Sequence, residues 1–81
     1  MRARVYVSLK TTVLDPQGQA VRAALAGLGH SAIADVRQGK FFDIAIVDGL
    51  SPEQARKDVE NIAHEVLANP VIEEYRVEII P

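Results

Sequence analysis

The 81-residue chain has no cysteine, no tryptophan, one methionine and only four aromatic residues, two tyrosines and two phenylalanines. Without cysteine it forms no disulfide and holds no metal through thiolates. Histidine is nearly as scarce: His30 and His64 lie far apart, and neither has a ligand-like partner spacing. No apolar run approaches the roughly 18–20 residues that cross a bilayer. The first segment, Met1-Arg2-Ala3-Arg4-Val5-Tyr6-Val7, is charged and lacks the long apolar stretch of a signal peptide, so it reads as a strand. Surplus charge is small. A net charge of −2 argues against a nucleic-acid or anionic-membrane partner. A cytoplasmic location is the expectation compatible with these absences.

Nor is there a linker, an internal repeat or a low-complexity stretch, so residues 1–81 are expected to form one domain. A domain of this size buries only about 60–65% of its extended-chain surface, which leaves a thin stability margin. With disulfides excluded and no metal site in view, oligomerisation is the remaining stabiliser. The apolar fraction of 48% fits a globular chain with an adhesive face.

What is present is regular. Residues 2–10 alternate, with Val5, Val7 and Leu9 on one side and Arg4, Tyr6, Ser8 and Lys10 on the other, as in a half-buried strand. Asp15-Pro16 starts a helix: the carboxylate accepts from free first-turn N–H groups, and proline there loses no needed donor. Val21, Ala24, Leu25 and Leu28 follow at helical spacing, and Gly29 suits a left-handed cap, which predicts a helix over 16–28. Gly18 in its first turn costs up to about 1 kcal/mol against alanine. Either a close backbone approach by another chain or a ligand, or tolerance near a frayed end, accounts for it. Residues 32–38 and 40–48 read as extended, with Gln38-Gly39-Lys40 either a tight hairpin or a bulge.

Ser51-Pro52-Glu53-Gln54 carries a cap, a first-position proline and a capping-box glutamine, and it opens a helix of about 17 residues. Ala55, Val59, Ile62, Ala63, Val66 and Leu67 share its apolar stripe, and Asn69-Pro70 ends it. Residues 71–80 form a last strand, with Tyr75, Val77 and Ile79 opposite Glu74, Arg76 and Glu78. The order β-α-β(β)-α-β predicts an α+β two-layer sandwich, a ferredoxin-like variant with a mainly antiparallel sheet and both helices on one face. The other face, with Tyr6, Phe41, Val47, Ile72 and Ile80 as candidates, is then an expected oligomer interface. Residues 1–40 carry six basic and two acidic side chains, and residues 41–81 three basic and nine acidic. This segregation marks two partner-facing patches only if strands of the two halves do not interleave.

No catalytic, cofactor-binding or metal-binding residue is expected. Ser51 is a cap rather than a nucleophile, and no Walker-type glycine loop is present. Val36-Arg37-Gln38-Gly39-Lys40-Phe41-Phe42 superficially resembles the phosphate loop of acylphosphatases. It follows the first helix instead of preceding it, and Asp43, where that loop has arginine, repels an anion. An RNA-binding sheet needs basic neighbours around Phe41 and Phe42, and the downstream half is acidic.

Three segments together resemble the PurS family: Val5-Tyr6-Val7-Ser8-Leu9-Lys10 with Val13-Leu14-Asp15-Pro16-Gln17-Gly18 and Ala20-Val21; Asp35-Val36-Arg37-Gln38-Gly39-Lys40; and Leu67-Ala68-Asn69-Pro70-Val71-Ile72-Glu73-Glu74-Tyr75 with Val77-Glu78-Ile79. The resemblance implies the small, non-catalytic subunit of phosphoribosylformylglycinamidine synthase. Such a subunit forms a dimer or tetramer and bridges a PurQ glutaminase and a PurL synthetase. It binds no cofactor itself, while the complex uses ATP, Mg and glutamine to aminate formylglycinamide ribonucleotide. Lys10, Asp15, Gln17, Gly18, Arg37, Gly39 and Lys40 are the expected partner-contact residues. An ACT-like ligand-binding dimer is the alternative; it would bind an amino acid saturably and need no large partner.

Overall fold

A computed structural model describes residues 1–81. Strand β1 runs Arg2–Leu9, helix α1 Pro16–Gly27, strand β2 Gly39–Ala45, helix α2 Pro52–Ile62 and strand β3 Glu73–Ile80. The sheet order is β2-β1-β3, and both pairings are antiparallel. The α+β class, the antiparallel sheet and the two helices agree with the alternation and capping signals in the sequence.

The sheet reads its register from β1. Val5 lies opposite Phe42 and Val77, and Val7 lies opposite Lys40 and Tyr75. Ala3, Val5 and Val7 therefore share a face, and that face is buried under Val59 and Ala63, with Ala68 completing the cluster. Small side chains dominate this core, which lets α2 approach the sheet closely. Helix α2 rests on β1 and β3. Phe42, Ile44 and Ile46 border the core on the β2 side and stay half-buried.

Both helix starts are built as the sequence predicts. The Asp15 carboxylate accepts from the Gly18 N–H at 3.0 Å. Ser51 and Gln54 form a reciprocal capping box. At the end of α1, the N–H groups of Gly29 and His30 donate to the carbonyls of Ala26 and Leu25. Gly29 adopts φ +92°, so the helix ends in a Schellman turn, for which glycine has no steric penalty. Beyond Ile62 the helix widens into a π turn, Ala63–Leu67, closed by the Ala68 N–H on the Ala63 carbonyl at 2.9 Å.

Three placements differ from expectation. Residues 32–38 form no strand. Arg37 donates to the carbonyls of Lys10 and Val13 at 2.9 and 2.8 Å, which ties this stretch to the β1–α1 connection instead of to a ladder. Gln38-Gly39-Lys40 is consequently neither hairpin nor bulge; β2 simply begins at Gly39. Finally, α1 does not lie on the sheet beside α2. Only Gly18 of its twelve residues is buried. The chain measures 51 × 26 × 14 Å with a radius of gyration of 16.2 Å, where a compact chain of this length has about 12 Å. Helix α1 is an arm.

Candidate functional site

The sheet face opposite α2 carries Arg2, Arg4, Tyr6, Ser8, Phe41, Asp43, Glu74, Arg76, Glu78 and Ile80, as the register dictates. It is more polar than an apolar interface candidate should be. Tyr6, Phe41 and Ile80 are on it as expected, whereas Val47 and Ile72 lie outside the strands. Arg4 pairs with Asp43 at 2.9 Å across β1 and β2 and lies 5.0 Å from the Phe41 ring centre. The Asp43 hydrogen bond holds the Arg4 pKa above its ordinary value. Arg76 sits 4.2 Å over Tyr6 and 3.7 Å from Glu78. Arg4, from the basic half of the chain, also lies opposite Glu78 in the register, so the linear charge segregation is mixed on the sheet.

The predicted contact residues gather at the other end of β1, around two crossing segments. Lys10–Gly18 leaves the sheet for α1, and Val36–Gly39 enters it at β2. Asp15 joins them. One carboxylate oxygen accepts from the Gly18 N–H and the other from the Gln38 N–H at 2.7 Å. Asp15 is buried, at 3% exposure. The Gln38 and Gly18 N–H groups, in that order, outweigh burial and hold its pKa below the ordinary 3.8, with Arg37 adding attraction. Gly18 is pressed against the second segment: a Cβ there would stand 2.2 Å from the Val36 carbonyl oxygen. The close approach expected of another chain or a ligand is made instead by this chain's own backbone at Val36, and that contact accounts for the glycine. Gly39 is similarly constrained, since a Cβ would meet the Val7 carbonyl oxygen at 2.7 Å.

Beside this clip opens a cleft of about 330 Å³, lined by Asp15, Gln17, Gly39 and Lys40 with Val7, Ser8, Leu9, Gln38 and Glu73. Four of the seven predicted residues thus line one concavity, and Lys10, Gly18 and Arg37 stand in the adjoining clip. Internal hydrogen bonds and close backbone contacts account for Asp15, Gly18, Arg37 and Gly39 structurally. Gln17 and Lys40 present exposed side chains. Sequence reasoning passed over Glu73, whose carboxylate accepts from the Asn69 N–H at 2.7 Å; no spacing rule flags it. No group of three or more His, Cys, Asp or Glu is placed to hold a metal ion, and no helix is long and apolar enough to cross a membrane.

Because Asp15 has a depressed pKa in the folded chain, its contribution is present above the unfolded value of about 4 and is lost as pH falls through the lower folded value. Asp15→Asn, which leaves one of the two N–H groups facing an amide donor, should lower Tm by several degrees at pH 7. The difference from the parent should shrink on going below pH 4, as calorimetry across that range will show.

A small α+β domain built on a three-stranded antiparallel sheet, with its polar glycine-bearing segments forming a clip and cleft, is the class these features define. A model of the PurS family, described as phosphoribosylformylglycinamidine (FGAM) synthase, matches residues 2–81. The chain is 46% identical over 76 residues to the PurS subunit of that synthase from Mycobacterium leprae, covering 94% of this chain and 91% of the relative. It is similar to the solved Bacillus subtilis PurS, with a TM-score of 0.83, 40% identity, and coverage of 99% and 98%. A chain of the solved PurLQS structure from Thermotoga maritima matches with a TM-score of 0.85 and 28% identity, covering 98% of this chain and 95% of that one. The chain belongs to the PurS family, as a non-catalytic subunit of phosphoribosylformylglycinamidine synthase.

Proposed function

We propose that this chain self-associates and bridges a glutaminase of the PurQ type and a synthetase of the PurL type, in the cytoplasm, so that ammonia passes between their active sites. The match along residues 2–81 carries the reading, and the likeness to a chain of the PurLQS structure supports the choice of partners. The larger subunits supply the ATP, Mg and glutamine chemistry. The bridge supplies proximity. Ammonia freed from glutamine is diluted and protonated in water, and holding donor and acceptor sites together turns a bimolecular encounter into an internal one.

The cleft beside the Asp15 clip is the surface we assign to partner contact, with Gln17 and Lys40 as its exposed probes. Arg37→Ala is a poor probe because it also removes two bonds inside the clip. Lys40→Glu should weaken assembly with the two larger subunits roughly tenfold or more, through reversal of a rim charge, and leave the melting curve of the isolated subunit nearly unchanged. Sedimentation of the mixed subunits measures it, and unaltered assembly removes the cleft from the interface. The bridging role is tested separately by reconstitution: glutamine-dependent amidation should require this chain, and equal rates without it overturn the proposal.

A further inference from the structure

Strand β3 is an outer strand of the sheet, and the register fixes which of its backbone groups face out. Antiparallel pairs alternate between those that exchange backbone hydrogen bonds and those that do not. The Lys10 N–H donates to the Ile72 carbonyl at 2.8 Å, one step beyond the Leu9–Glu73 pair. The bonded pairs are therefore Ser8–Glu74, Tyr6–Arg76 and Arg4–Glu78. Tyr75, Val77 and Ile79 turn their N–H and C=O groups away from β1. Arg56 of α2 reaches the Val77 carbonyl at 3.4 Å, in keeping with that outward aim. The other outward groups repeat about every 6.8 Å, the two-residue rise of a strand. No proline, lysine or bulge interrupts residues 73–80.

Charge along this edge is one-sided. Glu73, Glu74 and Glu78 stand against Arg76, a net of −2 from three acidic and one basic residue. Arg76 is engaged, 3.7 Å from Glu78 and 4.2 Å over the Tyr6 ring. Glu74 is exposed and in no salt bridge, and it lines a hollow of about 270 Å³ with Tyr6, Ser8, Tyr75 and Arg76. On the α2 side Tyr75 is 37% exposed, its ring 6.4 Å from that of His64.

We infer that the β3 edge takes up an extended, basic segment of a larger subunit as a fourth strand. The inference rests on the reading of this chain as a bridge and adds a second contact surface to the cleft at Asp15. Backbone bonds to Tyr75, Val77 and Ile79 supply affinity, and alternate side chains supply selectivity. A lysine or arginine of the incoming strand meets Glu74 on the open face, and a neighbouring apolar side chain packs on Tyr75 on the other. A second copy of β3 fits less well, because it brings the same acidic surplus, and like charges across a strand pair destabilise it.

Hydrogen exchange in the assembled complex tests this, because an added strand leaves a mark of period two. In the isolated chain the Glu74, Arg76 and Glu78 amides are held by β1 and should exchange slowly, while those of Tyr75, Val77 and Ile79 exchange fast. On mixing with both larger subunits the latter three should slow at least about tenfold, so that the alternation vanishes. Glu74→Lys should weaken assembly roughly tenfold, as reversal of an interface charge does, with the deficit shrinking at high salt. Tyr75→Pro removes an outward donor without touching the β1 ladder, and should weaken assembly about tenfold beyond Tyr75→Ala. A complex that sediments intact while the Tyr75, Val77 and Ile79 amides exchange as fast as in the free chain overturns the added strand and leaves the bridge standing. Slowing of these amides with rising concentration of this chain alone assigns the edge to a second copy and overturns the inference. Larger subunits that do not bind the chain at all overturn the bridge and the added strand together.

Discussion

Gly18→Ala should loosen the chain where the same change at Gly27 should tighten it. In a helix an exposed glycine is ordinarily worse than alanine by about 0.5–1 kcal/mol, because it loses more backbone freedom on ordering. Gly27 meets that condition, with nothing within 4 Å of a Cβ built on it. Gly18 does not. Its added methyl would lie 2.2 Å from the Val36 carbonyl oxygen and 2.8 Å from a carboxylate oxygen of Asp15. Backbone cannot rotate aside as a side chain can, so α1 and the Val36–Gly39 segment must separate. That motion pulls the Gly18 and Gln38 N–H groups off the two oxygens of Asp15. Overpacking of this kind costs about 1–3 kcal/mol, more than the propensity gain. Because α1 stands off the core, the damage is local. Hydrogen exchange at the Gly18 and Gln38 amides should accelerate on the order of 10–100-fold in the variant, with the amides of β1 and β3 nearly unchanged. Gly27→Ala should slow exchange in the last turn of α1. If both substitutions shift exchange in the same direction, the contact between Gly18 and Val36 does not constrain the protein.

Much of this was legible in the sequence, and what was not has a common cause. Alternation in Val5-Tyr6-Val7 states which face is buried, and the structure agrees; in β3 only Val77 and Ile79 border the core, and Tyr75 stays exposed. Asp15-Pro16, Ser51-Pro52 and Gly29 state where helices start and stop, since capping is settled within four residues. The stripe on α1 states that the helix is to be covered but not by what, and periodicity alone places it on its own sheet. Residues 32–38 looked extended because Ile33 and Val36 are β-formers. Their fate was decided by Arg37, which reaches carbonyls 27 and 24 residues away in sequence. The π turn at Ala63–Leu67 has no sequence mark that we can identify. At the site, the residue types were legible and their use was not. Asp15, Gly18, Arg37 and Gly39 were visible as a polar, glycine-bearing pair of segments, but only the fold brings them against each other. Local signals set local structure, and each misplacement arose where contacts distant in sequence overrode them.

Val5 is the position where a single small truncation should cost the most. It is fully buried at the middle of the central strand, between Phe42 and Val77, under α2. Only nine of 81 residues are buried, so little else shares the load. Removing two methyl groups forfeits about 1.6 kcal/mol of transfer free energy, and the cavity left behind raises the cost of Val5→Ala to about 2–3 kcal/mol. A chain of this length has roughly 4–12 kcal/mol in total, so the loss is a large fraction, worth about 10–20 °C in Tm. Val5→Asp should abolish folding, because a carboxylate there has no partner and no water. Val66 provides the contrast: it is 74% exposed, and Val66→Ala should stay within about 0.5 kcal/mol. All variants are to be melted at one subunit concentration, since self-association makes Tm depend on concentration. A Val5→Ala protein that melts within 2–3 °C of the parent would mean that the stability of this fold resides in the contact between copies and not in the cluster beneath α2.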